Sequence, residues 1–432
     1  MDRYAIQELY AWKNRAGRKP LIMQGARQVG KTWLMRKFAE EAFEKSIYIN
    51  FENETLLAHT FEKDFDIRRI LLEIQLVTGI QPDSNTLLIF DEIQEAKRGV
   101  TSLKYFHENA PEIPIIAAGS LLGIASHQGD SFPVGKVEFM SLYPLSFFEF
   151  LEAIGKGQFV EVIRRGDWDL LSPFESNLQM MLRQYYIVGG MPEVVKSFVK
   201  ESNMQEVRRI QRNILDAYER DFSKHAPAAE VPRLRMVWHS ISGQLSKENK
   251  KFIYGLLKEG ARAKNFELAI EWLKDAGLVY QVKRTKKGQL PLSAYEDFSA
   301  FKLFLLDIGL LSAMSDVQPS VLLDGNAIFT DYKGALTEQY VYQQLQLSPD
   351  NRIYYWSADN SQGEIDFLVQ RGKQIFPIEV KAEENLQAKS LKYFIEKNPE
   401  LHGIRFSMSP HREQSWLTNY PLYAAGRDLP LT

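Results

Sequence analysis

Five short apolar runs punctuate the first third of the chain, with longer mixed stretches between them. They are Leu21-Ile22-Met23, Ser46-Ile47-Tyr48-Ile49-Asn50-Phe51, Thr86-Leu87-Leu88-Ile89-Phe90, Ile113-Pro114-Ile115-Ile116-Ala117-Ala118 and Val137-Glu138-Phe139-Met140-Ser141-Leu142. Each has the length of a strand. The third is apolar without alternation, as in a parallel sheet covered on both faces. Trp33-Leu34-Met35-Arg36-Lys37-Phe38 instead carries the spacing of an amphipathic helix. Strands alternating with helices predict an α/β domain over residues 1–204. Tyr185-Tyr186-Ile187-Val188-Gly189-Gly190-Met191-Pro192 near its end reads as a turn between helices.

The pattern then changes. Residues 205 to 230 read as a charged helical connector that includes Arg208, Arg209, Arg212 and Arg220. From Arg233 to Arg284 the spacing resembles a winged helix. Ile241, Leu245, Phe252, Ile253, Leu256 and Leu257 mark two helices, Asn265 to Leu273 a third, and Gly277 to Val282 a strand. The third helix carries Glu267, Glu271 and Asp275 against Lys264 and Lys274. That balance points to packing or protein contact rather than to DNA phosphates. Residues 205–320 are thus expected to form a helical, winged-helix-like domain. Residues 321–432 return to strands, with Gly363 to Gln370 alternating, a turn at Arg371-Gly372-Lys373, and Ile375 to Lys381 coming back.

Chemistry enters between the first strand and the first helix. Gly25-Ala26-Arg27-Gln28-Val29-Gly30-Lys31-Thr32 matches G-x-x-x-x-G-K-[ST], the phosphate-binding loop, in its required strand–loop–helix setting. Glycines without a Cβ let the backbone bend round a polyphosphate, and the helix N-terminus favours anions. Lys31 is expected on the β- and γ-phosphates and the Thr32 hydroxyl on Mg²⁺. The third strand ends in Asp91-Glu92. Asp91 is expected to share the Mg²⁺ shell, and Glu92 to orient the attacking water. Ser120, after the fourth strand, is the candidate sensor of the γ-phosphate. ATP and Mg²⁺ are the expected ligands.

A second constellation lies near the C-terminus. Asp366 and Glu379-Val380-Lys381 fall on the two arms of the predicted hairpin, the D…E-x-K arrangement of restriction-endonuclease-like nucleases. Two carboxylates can hold a divalent ion and a lysine can position water. Glu338, in a helix starting near Gly334, is the candidate third carboxylate. Glu95-Ala96-Lys97 and Glu248-Asn249-Lys250 repeat the triplet outside such a hairpin and are set aside as coincidences. The spacing supports a nuclease-like fold more strongly than it supports cleavage.

Composition narrows the setting. The 432 residues include 45% hydrophobic and 25% charged positions, ordinary for a globular protein of several domains. Cysteine is absent, which removes disulfides and thiolate metal sites. The polar start Met1-Asp2-Arg3-Tyr4 and the lack of a membrane-length apolar run fit a cytoplasmic protein. A net charge of −2 gives no global attraction for nucleic acid, so DNA or RNA would need a local patch.

Taken together, these segments resemble a prokaryotic family: an AAA-type ATPase domain followed by a C-terminal domain of the DUF4143 class. The segments that carry it are Gly25–Thr32, Ile89-Phe90-Asp91-Glu92-Ile93-Gln94, Ala118-Gly119-Ser120, Tyr143-Pro144-Leu145-Ser146-Phe147-Phe148-Glu149-Phe150 and Gly189-Gly190-Met191-Pro192-Glu193. Leu336-Thr337-Glu338, Glu364-Ile365-Asp366-Phe367 and Glu379-Val380-Lys381 complete the set. The resemblance implies a P-loop sheet with helices on both faces and a nuclease-like α/β tail. It implies an ATPase with a nuclease-like tail; the two carboxylate constellations lead to an ATPase acting on DNA or RNA, and the alternative is a nucleotide-gated switch with a protein partner or a second copy of the chain. Members often carry Gly-Arg before the Pro-Leu-Ser-Phe segment, where this chain has Gly135-Lys136. Lysine lacks the planar fork of arginine, so hydrolysis is expected to be slower or to use another arginine such as Arg27.

Overall fold

The computed structural model describes residues 2–119, 133–247, 250–323, 330–358, 363–382 and 388–429. The chain divides into two compact units. The first comprises Asp2–Tyr143 with the turn Asp275–Leu278.

Its five apolar runs form β1 (Leu21–Gln24), β2 (Lys45–Asn50), β3 (Thr86–Asp91), β4 (Ile115–Ala118) and β5 (Glu138–Ser141). They pair in the order β2-β3-β4-β1-β5, every neighbour parallel. Every residue of β3 is buried, as its unbroken apolar run requires. One face packs Ile47, Ile49, Leu88 and Phe90 against Phe61, Ile70, Leu103 and Phe106. The helix Ile67–Thr78 buries Ile67, Ile70 and Ile74, a single stripe at helical spacing. Each such side chain contributes about 1.5–3 kcal/mol. The Asp66 side chain caps this helix on the Arg68 amide, and Gly79 ends it in a left-handed turn.

The second unit comprises Pro144–Lys274 and Val279–Thr432. Its sheet has eight strands: β6 (Val279–Thr285), β7 (Glu296–Leu305), β8 (Arg352–Ser357), β9 (Glu364–Arg371), β10 (Gln374–Val380), β11 (Gly403–Ser407), β12 (Arg412–Glu413) and β13 (Leu417–Pro421). The order is β12-β13-β11-β10-β9-β8-β6-β7, with parallel and antiparallel pairs mixed. The predicted C-terminal hairpin is β9–β10, with Phe367 opposite Ile378.

The expected boundaries near 204 and 320 both lie within this unit, where the β6–β7 hairpin joins the C-terminal sheet through β8. One expectation from the sequence needs revision: Phe252–Leu257 forms only a 3₁₀ turn at Tyr254–Leu256 instead of a helix. The Gln244 side chain accepts from the Ile253 amide at 2.9 Å and donates to its carbonyl at 3.0 Å, and that carbonyl also accepts from the Leu256 amide at 3.2 Å, a 3₁₀ rather than an α-helical bond. The outer helices, Val231–Leu245 and Glu267–Asp275, do form.

The Gly189-Gly190 turn is tied to the rest of this unit. Asp307 caps the helix Ile308–Met314 on the Leu310 amide (2.9 Å) and also accepts from the Gly190 amide (2.6 Å). Gln343 donates to Asp307 at 3.3 Å and to the Tyr185 hydroxyl at 3.0 Å. A Cβ on Gly189, whose φ is +70°, would lie 2.2 Å from an Asp307 carboxyl oxygen, so only glycine fits. No helix among the described residues is long and apolar enough to cross a membrane.

Candidate functional site

In the first unit, β1 runs into a loop with positive φ at Gly25 (144°), Gln28 (66°) and Gly30 (96°). The helix Lys31–Ala42 starts directly after it. A Cβ on Gly25 would sit 2.3 Å from the Leu142 carbonyl oxygen, so this position is closed to any side chain. Arg3, almost fully buried, braces the loop by donating to the carbonyls of Val29 (3.0 Å) and Tyr143 (2.6 Å). Lys31 is buried, and its ammonium donates to the carbonyls of Gly25 (2.7 Å) and Ala26 (2.8 Å). Burial pushes its pKa down to about 8, with Glu92 and Asp91 opposing that shift and Arg27 adding to it.

Asp91 stands at the carboxyl end of β3. Its Oδ2 accepts from the Thr32 hydroxyl at 2.7 Å and from the Tyr48 hydroxyl at 2.8 Å. Its Oδ1 accepts from the Glu92 amide at 3.1 Å. Glu92 adopts left-handed backbone angles (φ 48°, ψ 44°), uncommon for a residue with a Cβ and a conformation that re-aims the side chain. The Gln94 amide donates to its carboxylate at 2.5 Å. Lys31, Thr32, Asp91 and Glu92 therefore lie close together. Ser120 lies outside the described residues. Lys136 pairs with Glu108 at 3.0 Å.

Tyr48, Arg36 and Gln94 were not singled out by motif reasoning. The Arg36 guanidinium stacks 3.9 Å from the centroid of the Tyr48 ring. A partial signal existed for Tyr48: in β2 it alternates with the core residues Ile47 and Ile49. That places it on the opposite face. Only the pairing of β2 with β3 shows that this face meets Asp91.

This arrangement suits a polyphosphate: a loop closed to side chains, a helix N-terminus behind it and a buried ammonium within it. Thr32 and Asp91, joined through one oxygen, are the pair that would hold Mg²⁺, which neutralises phosphate charge when bound.

The second constellation lies wholly in the second unit. Asp366 on β9 accepts from the Val380 amide of β10 at 2.8 Å. Glu379 pairs with Lys381 at 3.0 Å. Its other carboxyl oxygen is buried without a donor among the described residues. Glu338 is buried on the helix Thr330–Leu345, within hydrogen-bond reach of Asp366. Burial and the Glu338 charge together push Asp366 well above the usual carboxylate range. Burial would raise Glu338 too, but Lys250 and Lys302 hold it low.

Those two lysines were not foreseen. Lys302 on β7 is fully buried, 2.5 Å from Glu364 and 3.5 Å from Glu338. Lys250 pairs directly with Glu338. The Glu248-Asn249-Lys250 triplet, dismissed on sequence grounds, thus supplies a member of the cluster from a distant turn. Among the described residues, no three His, Asp or Glu side chains form a set able to hold a metal ion. Glu338 and Asp366 meet; Glu379 keeps to Lys381.

The sequence matches the AAA domain family over residues 17–151 and the DUF4143 family over residues 333–423. The chain carries an AAA-type P-loop ATPase domain and a C-terminal DUF4143 domain. Between the two, residues 179–321 match another domain of unknown function, DUF8612. Among solved structures it is similar to the Walker-type ATPase PABY2304 of Pyrococcus abyssi, at 15% identity, covering 73% of this chain and 95% of that one, with a TM-score of 0.45. It is also similar to the Thermotoga maritima RuvB Holliday junction branch migration motor, at 14% identity over 68% and 91% of the two chains, with a TM-score of 0.30. A third likeness is to the Aeropyrum pernix Orc1 protein in complex with DNA, at 10% identity over 72% and 91%, with a TM-score of 0.28. All three are remote. Among curated proteins, none matches the ATPase.

Proposed function

We propose that the first unit binds ATP with Mg²⁺ and hydrolyses it, and that the nucleotide state gates the rest of the chain. The Thr32–Asp91 hydrogen bond beside the buried Lys31 carries this reading, since it brings both phosphate-loop motifs to one point. In it, Lys31 contacts the β- and γ-phosphates and Gly25 to Thr32 supply the backbone cradle. Glu92 orients the attacking water, with Gln94 holding one of its oxygens. Ser120 keeps its sequence-based role as γ-phosphate sensor. Lys136, paired with Glu108, is the position that sets this chain apart in rate. Steady-state phosphate release tests the assignment. Glu92→Gln is expected to bind ATP yet lose about a hundredfold or more in turnover. Undiminished turnover in that variant would remove Glu92 from the role.

For the second unit, the lysine pairing supports a nucleotide-gated binding module rather than a metal-dependent nuclease acting on DNA or RNA. As arranged, the carboxylates do not fit a metal ion: Glu338 is taken by Lys250 and Lys302, and no three acidic or histidine side chains among the described residues form a metal-holding set. A protein partner or a second copy of the chain is the class of ligand this reading favours. Incubating the chain with DNA or RNA, Mg²⁺ or Mn²⁺, and each nucleotide is expected to give no cleavage. Cleavage that disappears in Asp366→Ala would establish the nuclease instead.

A further inference from the structure

In the second unit, the helix Met204–His225 and the segment 316–319 border a cavity of about 680 Å³. That volume falls within the roughly 300–1,000 Å³ of small-molecule sites. Three arginines line it: Arg208, Arg209 and Arg212. Arg212 stands four residues after Arg208 and three after Arg209, so all three share one side of the helix. The cavity lies near the start of that helix, the end whose dipole favours anions.

The three arginines are held differently. Arg208 forms the floor, with 9% of its surface exposed. Its guanidinium donates to the Gln211 side-chain oxygen at 3.0 Å, the Ser312 hydroxyl at 3.2 Å and the Val317 carbonyl at 2.8 Å. Gln211 is itself fixed, since its amide donates to the carbonyls of Ile187 (2.7 Å) and Val188 (3.0 Å). All three acceptors of Arg208 are neutral, and no carboxylate among the described residues pairs with it. Buried charges are ordinarily paired. Burial draws its pKa down to about 10, Arg212 adds to that, and Tyr332 and Asp316 oppose it, so Arg208 stays charged at neutral pH. Arg209 and Arg212 stand at the rim, paired with Glu206 at 2.8 Å and with Asp316 at 3.1 Å. Both side chains are more than half exposed, and exposed pairs of this kind are weak enough to exchange.

We propose that this cavity binds a phosphate monoester of nucleotide size, whose phosphate supplies the counter-charge to Arg208. A phosphate group offers three oxygens and more than one charge, enough for three planar guanidinium forks. As it enters, Arg209 and Arg212 exchange Glu206 and Asp316 for it. A carboxylate, with two oxygens and one charge, would satisfy Arg208 alone. A phosphodiester chain carries sugars on both sides of each phosphate and cannot reach a guanidinium this deep, whereas a terminal phosphate can. The amides of Gln205, Asn213 and Gln318 also line the cavity and offer donors and acceptors to the rest of the ligand. These residues are shared with neither the phosphate loop nor the carboxylate cluster, and the proposal rests on neither reading above.

Calorimetric titration of the full chain carrying Lys31→Ala, which removes the phosphate-loop ammonium, tests this with AMP, inorganic phosphate and acetate. AMP is expected to bind, phosphate to bind about tenfold or more weakly, and acetate not to bind. Arg209→Ala and Arg212→Ala, both at exposed positions and checked by thermal melting, are each expected to weaken AMP several-fold. Arg208→Lys keeps the charge but loses the fork, and is expected to weaken AMP about tenfold or more. Arg220→Ala, exposed on the same helix but outside the cavity lining, should match the parent chain. No AMP binding in the millimolar range would overturn the proposal, as would an affinity unchanged in Arg209→Ala and Arg212→Ala. Phosphate or acetate binding as tightly as AMP would overturn the monoester as the ligand.

Discussion

Single residues decide what the phosphate loop can bind. Lys31 has a pKa of about 8 in the folded chain against an ordinary 10.5, because it is buried. The folded state therefore holds this proton less tightly than the unfolded one. The resulting penalty is full below about pH 8 and fades as pH rises towards 10.5. Phosphates near Lys31 restore the proton, so ATP binding between these two pH values is expected to take up protons. Calorimetry in buffers of different ionisation enthalpy reads that uptake, and Lys31→Met should abolish it. Tyr48→Phe removes one of the two hydroxyls on Asp91 Oδ2, a bond to a charged group worth about 1.5–3 kcal/mol. The Mg²⁺ concentration for half-maximal hydrolysis is expected to rise several-fold; an unchanged Mg²⁺ dependence would make the tyrosine incidental. The proximity of Lys31, Thr32, Asp91 and Glu92 was legible because they stand in continuous motifs at the ends of neighbouring elements. Tyr48 and Lys250 were not, because each reaches its carboxylate through pairing of elements remote in sequence.

Elements show where local signals suffice. The five parallel strands could be read directly, since a strand buried on both faces is apolar at every position, as in β3. The Phe252–Leu257 stretch has helical spacing, but Gln244 bonds the Ile253 amide and carbonyl from a remote helix and the stretch closes only a 3₁₀ turn. The helix Ile308–Met314 depends on its cap in the same non-local way. Asp307→Ala is expected to cost about 1–3 kcal/mol, from the lost cap and the orphaned Gly190 amide; urea denaturation measures it. Burial raises Asp307 to about 6 against an ordinary 3.8, while its amide donors oppose the shift. Its carboxylate is thus disfavoured in the folded state. Stability through this group is highest below about 3.8, falls as pH climbs to about 6, and is level above. Asp307→Asn should flatten that slope, and an unchanged pH profile would exclude the group as its source.

At the scale of the whole molecule, the chain joins a nucleotide unit to a larger mixed-sheet unit with a lysine-neutralised carboxylate cluster. The parallel P-loop sheet and a C-terminal sheet were readable, but the membership of β6 and β7 in that second sheet was not, because its other strands come much later in the chain. A chain of two units can unfold in two steps, so its response to ligand is informative. If nucleotide gates the second unit, both steps should move with ATP; if only one moves, the units respond independently. The central claim is that the loop at Gly25–Thr32, with Asp91, binds ATP and Mg²⁺. Thermal unfolding with and without ATP–Mg²⁺ tests it most directly. At a hundred times the dissociation constant, the ligand adds about 2.7 kcal/mol to the stability of the unit that binds it. The wild type is predicted to show a clear upward shift that Lys31→Ala loses. No shift in the wild type, or an equal shift in Lys31→Ala, would contradict it.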